Sequence, residues 1–131
     1  MRDLTDQQVR LFEQPNIGNL ATIRHDGTAN LTPVWVDWDG RHVLVNTAIG
    51  RAKEKHLRRD PRATIGVVNP EDRYDWVSVT GPVELVEEGA EDHIDRLAKK
   101  YLGKDVYPSR SEGERRVTVR ITPERVSSGR S

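Results

Sequence analysis

Arg51 and Lys53 open a short basic stretch that runs through Lys55, Arg58 and Arg59 to Arg62. Between Arg51 and Arg62 there are six Lys/Arg residues and two acids, a local charge of +4 in a chain whose formal net charge is 0. The stretch follows an apolar run, Val43-Leu44-Val45, and the small turn Asn46-Thr47-Ala48-Ile49-Gly50. That order reads as a strand end, a turn and a helix start. There, unpaired backbone N–H groups and the helix dipole attract an anion. Cations at a helix start oppose the dipole and cost stability. Arg51 and Lys53, with no acid just N-terminal to them, are therefore expected to grip an anionic small molecule through its phosphate, for which the planar fork of Arg is suited. Lys55, Arg58 and Arg59 read as the solvated side of the same helix.

Several chemistries are excluded. The chain has no cysteine, so it has no disulfide, thiolate nucleophile or Cys-based zinc site. It contains no G-x-G-x-x-G, P-loop, H-E-x-x-H or G-x-S-x-G pattern. His25, His42, His56 and His93 are not spaced with a second His or a carboxylate as a metal site requires, and each reads as a surface histidine. A neutral chain with one short basic cluster has no nucleic-acid footprint. No apolar run approaches the ~18 residues of a membrane span, and the polar N-terminus does not resemble a signal peptide. The expectation is a cytoplasmic, soluble protein of one domain over residues 1–131. The acidic run Glu84–Asp95 reads as a solvated turn followed by an acidic helix start.

The elements that must position the basic corner can be read from the pattern. Leu4-Thr5-Asp6-Gln7-Gln8-Val9 predicts a capped helix, with Thr5 and Gln8 bonding reciprocally and Leu4 stapled onto Val9. It stops at Gln14, before Pro15. Strands are expected at 17–23, 29–38, 42–47, 63–68, 76–86 and 116–121. Pro33 places the second of them at an edge or a bulge. Gly81-Pro82 marks a bulge or bend in the fifth. Asp39-Gly40 signals a hairpin. The helix at 91–102 puts Ile94, Leu97, Ala98, Tyr101 and Leu102 on one face, with Gly103 as its cap. Residues 69–75 and 104–114 read as polar loops, the second of them mobile, and the Ser/Gly/Arg tail as frayed. Antiparallel strands joined by tight turns favour a small barrel over a doubly wound sheet.

Taken together, Asn19-Leu20-Ala21-Thr22 with Asp26-Gly27, Leu31-Thr32-Pro33-Val34-Trp35-Val36, Asn46-Thr47 with Arg51-Ala52-Lys53, Gly81-Pro82 and Ile121-Thr122-Pro123 resemble the split β-barrel flavin/deazaflavin oxidoreductases. That superfamily includes the pyridoxamine-phosphate oxidases, and the likeness covers roughly residues 5 to 126. Within it the chain looks closest to the actinobacterial branch that uses coenzyme F420, an 8-hydroxy-5-deazaflavin. The resemblance implies a mainly β (α+β) split barrel of the FMN-binding kind with short flanking helices. It also implies a homodimer with cofactor sites at the interface. Arg51 and Lys53 would hold the cofactor phosphate, Asn46, Thr47 and Ala48 would line the ring, and Thr32, Pro33 and Val34, with Asn30 nearby, would pack along its other edge. Lys55, His56 or Arg59 would meet the tail carboxylates, and Trp76, or Tyr74 beside it, would be a wall supplied by the partner chain. The implied activity is hydride transfer from reduced F420 to an electron-poor acceptor such as an enone, quinone or tetrapyrrole-like molecule. No acid–base residue is expected to dominate. FMN-dependent chemistry on the same scaffold and a non-catalytic F420 carrier are the alternatives. The further basic and aromatic residues of a pyridoxamine-phosphate oxidase substrate site are missing, so that family name is not read as the activity.

Overall fold

The computed structural model describes residues 1–129. In chain order the elements are α1 (Asp6–Glu13), β1 (Ile17–Ile23), β2 (Ala29–Trp35), β3 (Asp37–Trp38), β4 (Val43–Ala48) and α2 (Ala52–Arg59). They continue with β5 (Arg62–Asn69), β6 (Asp72–Val86), α3 (Ala90–Leu102), β7 (Arg116–Ile121) and β8 (Arg125–Gly129). The strands pair antiparallel in the order β2-β1-β5-β6-β7-β4-β3, and β8 also pairs with β6. β2 and β3 lie at opposite ends of that order yet are one residue apart in the chain, so the sheet curls into a half-barrel.

The seam between those ends is the key to the site. Val36 is the residue between β2 and β3, and its backbone leaves the ladder. Its N–H donates to the Tyr101 hydroxyl at 2.9 Å, and its C=O accepts from Lys100 Nζ at 2.6 Å. The second expected strand, residues 29–38, is therefore split here into two, which serve opposite ends of the sheet. The edge position that Pro33 implied is found for β2. Tyr101 also donates to Asn16 C=O at 2.6 Å, and burial pushes its hydroxyl up to about 12, so it stays a donor at any working pH. Tyr101→Phe is expected to cost about 1–3 kcal/mol, because it strands a backbone donor and acceptor inside the seam. A denaturant titration checks this.

Alternation sorts the faces. Leu20, Ile65, Val67, Val77, Val79, Val43, Val45, Val119 and Ile121 point inward and are buried with Leu11 and Phe12 from α1. The capping box on α1 is formed, Thr5 accepting from Gln8 N–H and Gln8 from Thr5 N–H. On β4 and β7 the other face is buried too, since α3 packs there. On β2, β1, β5 and β6 the outer face carries Leu31, Ile17, Val68 and Trp76, which are 65, 50, 50 and 36 % exposed.

Three expectations are corrected. Residues 69–75 are not a loop: Asn69 pairs with Asp72 across a tight turn, and β6 begins at Asp72. Residues 125–129 of the tail form β8, because they find an open register on β6 from Trp76 to Thr80; Arg130 and Ser131, the rest of the tail expected to fray, lie outside the described residues. The 104–114 loop has no regular structure but is tied to α3. Tyr107 N–H donates to Asp95 Oδ1 at 2.9 Å, and Arg110 bridges Asp95 and Glu91 at 3.1 and 3.3 Å. The acidic run is solvated as expected, five of its six acids being exposed and only Asp95 half-buried, with Glu84 and Glu87 in surface ion pairs with Arg120 and Arg115.

Candidate functional site

A cleft of about 440 Å³ lies at the seam, between β2, the end of β4, the start of α2 and the face of α3. Its chemistry divides into an aromatic wall and a cationic corner. The wall is Trp35 and Tyr107, edge-to-face at 6.0 Å, with Tyr101 stacked behind Trp35 at 5.2 Å. Trp35 reaches the cleft because it is the last residue of β2 before the chain leaves the ladder at Val36. Tyr107 is held there by the bond from its own N–H to Asp95, a carboxylate that this bond and Arg110 keep below the usual range.

The corner is Arg51, Lys53 and Arg116. Gly50 takes φ 97°, a left-handed turn suited to glycine, and Arg51 caps α2 without any side-chain bond to the helix. Glu54 reaches back from the first turn to Gly50 N–H at 2.8 Å and forward to Arg58 at 2.6 Å, which fixes the turn and leaves the cleft free of that carboxylate. Lys53 is half-buried and has no hydrogen-bond or ion-pair partner among the described residues. Burial, then the charges of Arg51 and Arg116, hold it below the usual lysine range. Like charges forced together in this way favour an incoming anion.

Arg116, the first residue of β7, is 5 % exposed and was not legible as a site residue from the sequence. Its guanidinium lies over the Tyr107 ring at 5.3 Å, donates from Nε to Asn46 Oδ1 at 2.8 Å, and contacts the Glu114 carboxylate. Glu114 also accepts from Ser111 N–H and lies 3.6 Å from Arg51. Burial raises its carboxyl, but the Ser111 bond and Arg116 outweigh that and hold it low. Arg51 is therefore not without an acid, since one arrives from a distant loop.

Of the ten residues expected at a cofactor site, Pro33, Val34, Asn46, Thr47, Arg51 and Lys53 are brought to this cleft. Asn46 contributes less to a ring surface than to holding Arg116. Ala48 is buried one position further along the strand, and Thr32 and Asn30 sit further along β2; none of these three lines the cleft. The Thr32 hydroxyl is buried without a partner among the described residues, and Asn30 accepts from Arg24 at 3.3 Å. Trp76 lies away from its own chain's cleft, against α1 and β8, and Tyr74 is exposed under Arg73. His56 bonds Thr22 at 2.9 Å, and Arg59 bonds Ile23 C=O at 2.7 Å. His93, expected at the surface, is 1 % exposed, because it follows Ala90 and precedes Leu97 on the face of α3 that packs on β4 and β7.

A curled antiparallel half-barrel whose open seam carries a basic corner and an aromatic wall defines the split-barrel class. The chain matches the pyridoxamine 5'-phosphate oxidase family over residues 4–128 and belongs to that family. A solved F420 reductase is similar at a TM-score of 0.82 and 26% identity, over 95% of this chain and 98% of its own. A conserved hypothetical protein from Mycobacterium tuberculosis is similar at 0.71 and 26%, over 97% and 85%. General stress protein 26 from Bacillus anthracis shares the fold at 0.72 and 16%, over 95% and 92%. Among the described residues no helix is long and apolar enough to cross a membrane, and no group of His, Asp and Glu is arranged to hold a metal.

Proposed function

We propose that this protein is a cytoplasmic F420-dependent oxidoreductase that reduces an electron-poor small molecule such as an enone, quinone or tetrapyrrole-like compound. The observation that carries this reading is the uncompensated Lys53 beside Arg51 and Arg116, opening onto a cleft walled by Trp35 and Tyr107. These residues fit a phosphorylated, flat heteroaromatic cofactor: charge for the phosphate, and ring faces and apolar side chains for the ring. When bound, reduced F420 supplies the hydride. The chain's own residues bind and orient. Arg51 and Lys53 anchor the phosphate, Pro33, Val34 and Thr47 border the ring, and the aromatic wall excludes water from one side. Positioning the acceptor against the ring is then the main source of rate.

The outer face of β2, β1, β5 and β6 supports a homodimer, one split-barrel cofactor-binding domain per chain. Ile17, Val68 and Trp76 form an apolar strip there across β1, β5 and β6, with Leu31 further along β2 and Trp76 at the end that meets α1 and β8. Ile17 belongs to both the strip and the cleft. A second chain laid on the strip would border the site, which keeps Trp76 or Tyr74 as a wall for the partner's cofactor. Arg58 is paired with Glu54 and Arg62 with Asp60, which leaves Lys55 and Arg59 as the cations for tail carboxylates. Burial and the charges of Arg59 and Arg24 push His56 down, so it would meet a carboxylate only as a neutral hydrogen-bonding group.

The test is a fluorescence titration of cofactor-free protein with F420 and with FMN at physiological salt. Selective F420 binding followed by turnover of an enone or quinone is expected. FMN preference would move the protein to flavin chemistry, and tight F420 binding without turnover of any acceptor would make it a carrier.

A further inference from the structure

We infer that buried His93 is a positioning residue for the anion corner, acting through Asn46 on Arg116. The inference rests on the cofactor reading above for its functional meaning, and on donor–acceptor logic for its geometry. The Asn46 amide is fixed at both ends. Its Oδ1 receives Arg116 Nε at 2.8 Å, and that nitrogen only donates; its Nδ2 gives a bond to Ala90 C=O at 2.9 Å, and that oxygen only accepts. The amide therefore has a single orientation. The remaining Nδ2 hydrogen faces His93 Nδ1 at 3.2 Å, so that ring nitrogen must be the acceptor and the proton of the neutral ring sits on Nε2. Nε2 faces Asp37 Oδ2 at 3.5 Å, and the Thr118 hydroxyl lies 3.3 Å from Nδ1 on the other side.

His93 therefore locks an amide whose other end holds the guanidinium that lines the cleft. Arg116 is almost fully buried, so its guanidinium depends on two fixed acceptors, Asn46 Oδ1 and the Glu114 carboxylate. With the acceptor at His93 lost, Nδ2 keeps only its bond to Ala90 C=O, so the amide that receives Arg116 Nε is held by one bond at that end instead of two. The dependence runs in one direction of the site's geometry only: His93 touches neither Arg51 nor Lys53 in any hydrogen bond or ion pair among the described residues.

The experiment is long-range ¹H–¹⁵N correlation NMR on the full chain, with solvent exchange of the Arg116 Nε–H and F420 affinity measured for wild type, His93→Asn and His93→Leu. Asn offers an amide oxygen at the δ position and Leu offers none. The expected result is an Nε2–H tautomer in the wild type. His93→Leu should show about tenfold faster Arg116 exchange and about tenfold weaker F420 binding, and His93→Asn should rescue both. A proton on Nδ1, or unchanged Arg116 exchange in a folded His93→Leu, overturns the inference. If His93→Leu does not fold, the wild-type tautomer and the Asn variant still decide it. A wild type that binds no F420 would remove the proposed function, while the tautomer and the Arg116 exchange would still settle the role of His93.

Discussion

Replacing Arg51 and Lys53 together by Ala is expected to raise the Kd for F420 at least about 100-fold without lowering the thermal midpoint of the cofactor-free protein. Each charge-assisted contact contributes about 1.5–3 kcal/mol. The two are neighbours on one anion, so their losses are not simply additive, and about 3 kcal/mol, or two decades, is the conservative sum. Stability should move differently. Lys53 is held below the usual lysine range by burial and by Arg51 and Arg116, so its charged form is disfavoured in the fold. The unfolded chain then binds the Lys53 proton more tightly, so this penalty is present below the folded pKa and is relieved as pH rises toward 10.5. Deleting the charge removes the penalty. The contact of Arg51 with Glu114 is long, at 3.6 Å, and half in solvent, and contributes little in return. A scan of Kd and thermal midpoint on the double variant checks both halves. Unchanged affinity would sink the phosphate assignment, whereas a collapsed midpoint would make the pair structural.

Gly81→Ala is expected to destabilise the protein by about 2–4 kcal/mol. Gly81 lies where β6 changes partners: β8 pairs with it up to Thr80, β5 up to Pro82, and β7 from Val83 onward. The turn linking β7 to β8 lies directly over it. Thr122 N–H donates to Pro82 C=O and Glu124 N–H to Thr80 C=O, both at 3.0 Å, so the turn straddles Gly81. A Cβ at Gly81 would sit 1.7 Å from the Thr122 carbonyl oxygen and 2.9 Å from its carbon. Both are backbone atoms, so the variant must lift the turn and break both bonds. Gly66 is the control, as its added Cβ would meet only Val77 C=O at 3.7 Å, an ordinary contact. Denaturant titration of the two variants should separate them by more than 2 kcal/mol; equal stabilities would mean the turn is free to move.

The sequence made local features legible and hid those that depend on distant neighbours. The capping box at Thr5 and Gln8, the Gly103 cap, the edge position of β2 and the strand–turn–helix around Arg51 each follow from residues a few places apart. Gly81-Pro82 was visible as a bend, but its reason, a turn from residues 122–124, was not. The split of the second strand at Val36 was invisible because Tyr101 and Lys100 cause it from 65 and 64 residues away. The tail reads as frayed because Ser and Gly have weak strand propensity, and only the open edge of β6 makes residues 125–129 a strand. At the site the basic corner was readable as charge at a helix start. The sequence points to Trp76 or Tyr74 for a wall supplied by the partner chain and gives no sign of the chain's own wall, Trp35 and Tyr107. Arg116 and Glu114 carry no local pattern at all, since a charged residue at the start of a strand looks like surface until a helix covers it.

The bond from Arg116 to Asn46 spans 70 residues, and the β4–β7 ladder that carries it closes the larger part of the chain into one loop. The corner has no local precursor: α2 alone presents Arg51 and Lys53, but Arg116 joins them only when the whole curl is complete. Pairings of such long range are slow to form and arrive late. Occupancy of the cleft is therefore a report on global folding, not on the ordering of one loop. A ligand held there adds its full linkage energy to the barrel as a unit, about 2.7 kcal/mol at a hundred times its Kd.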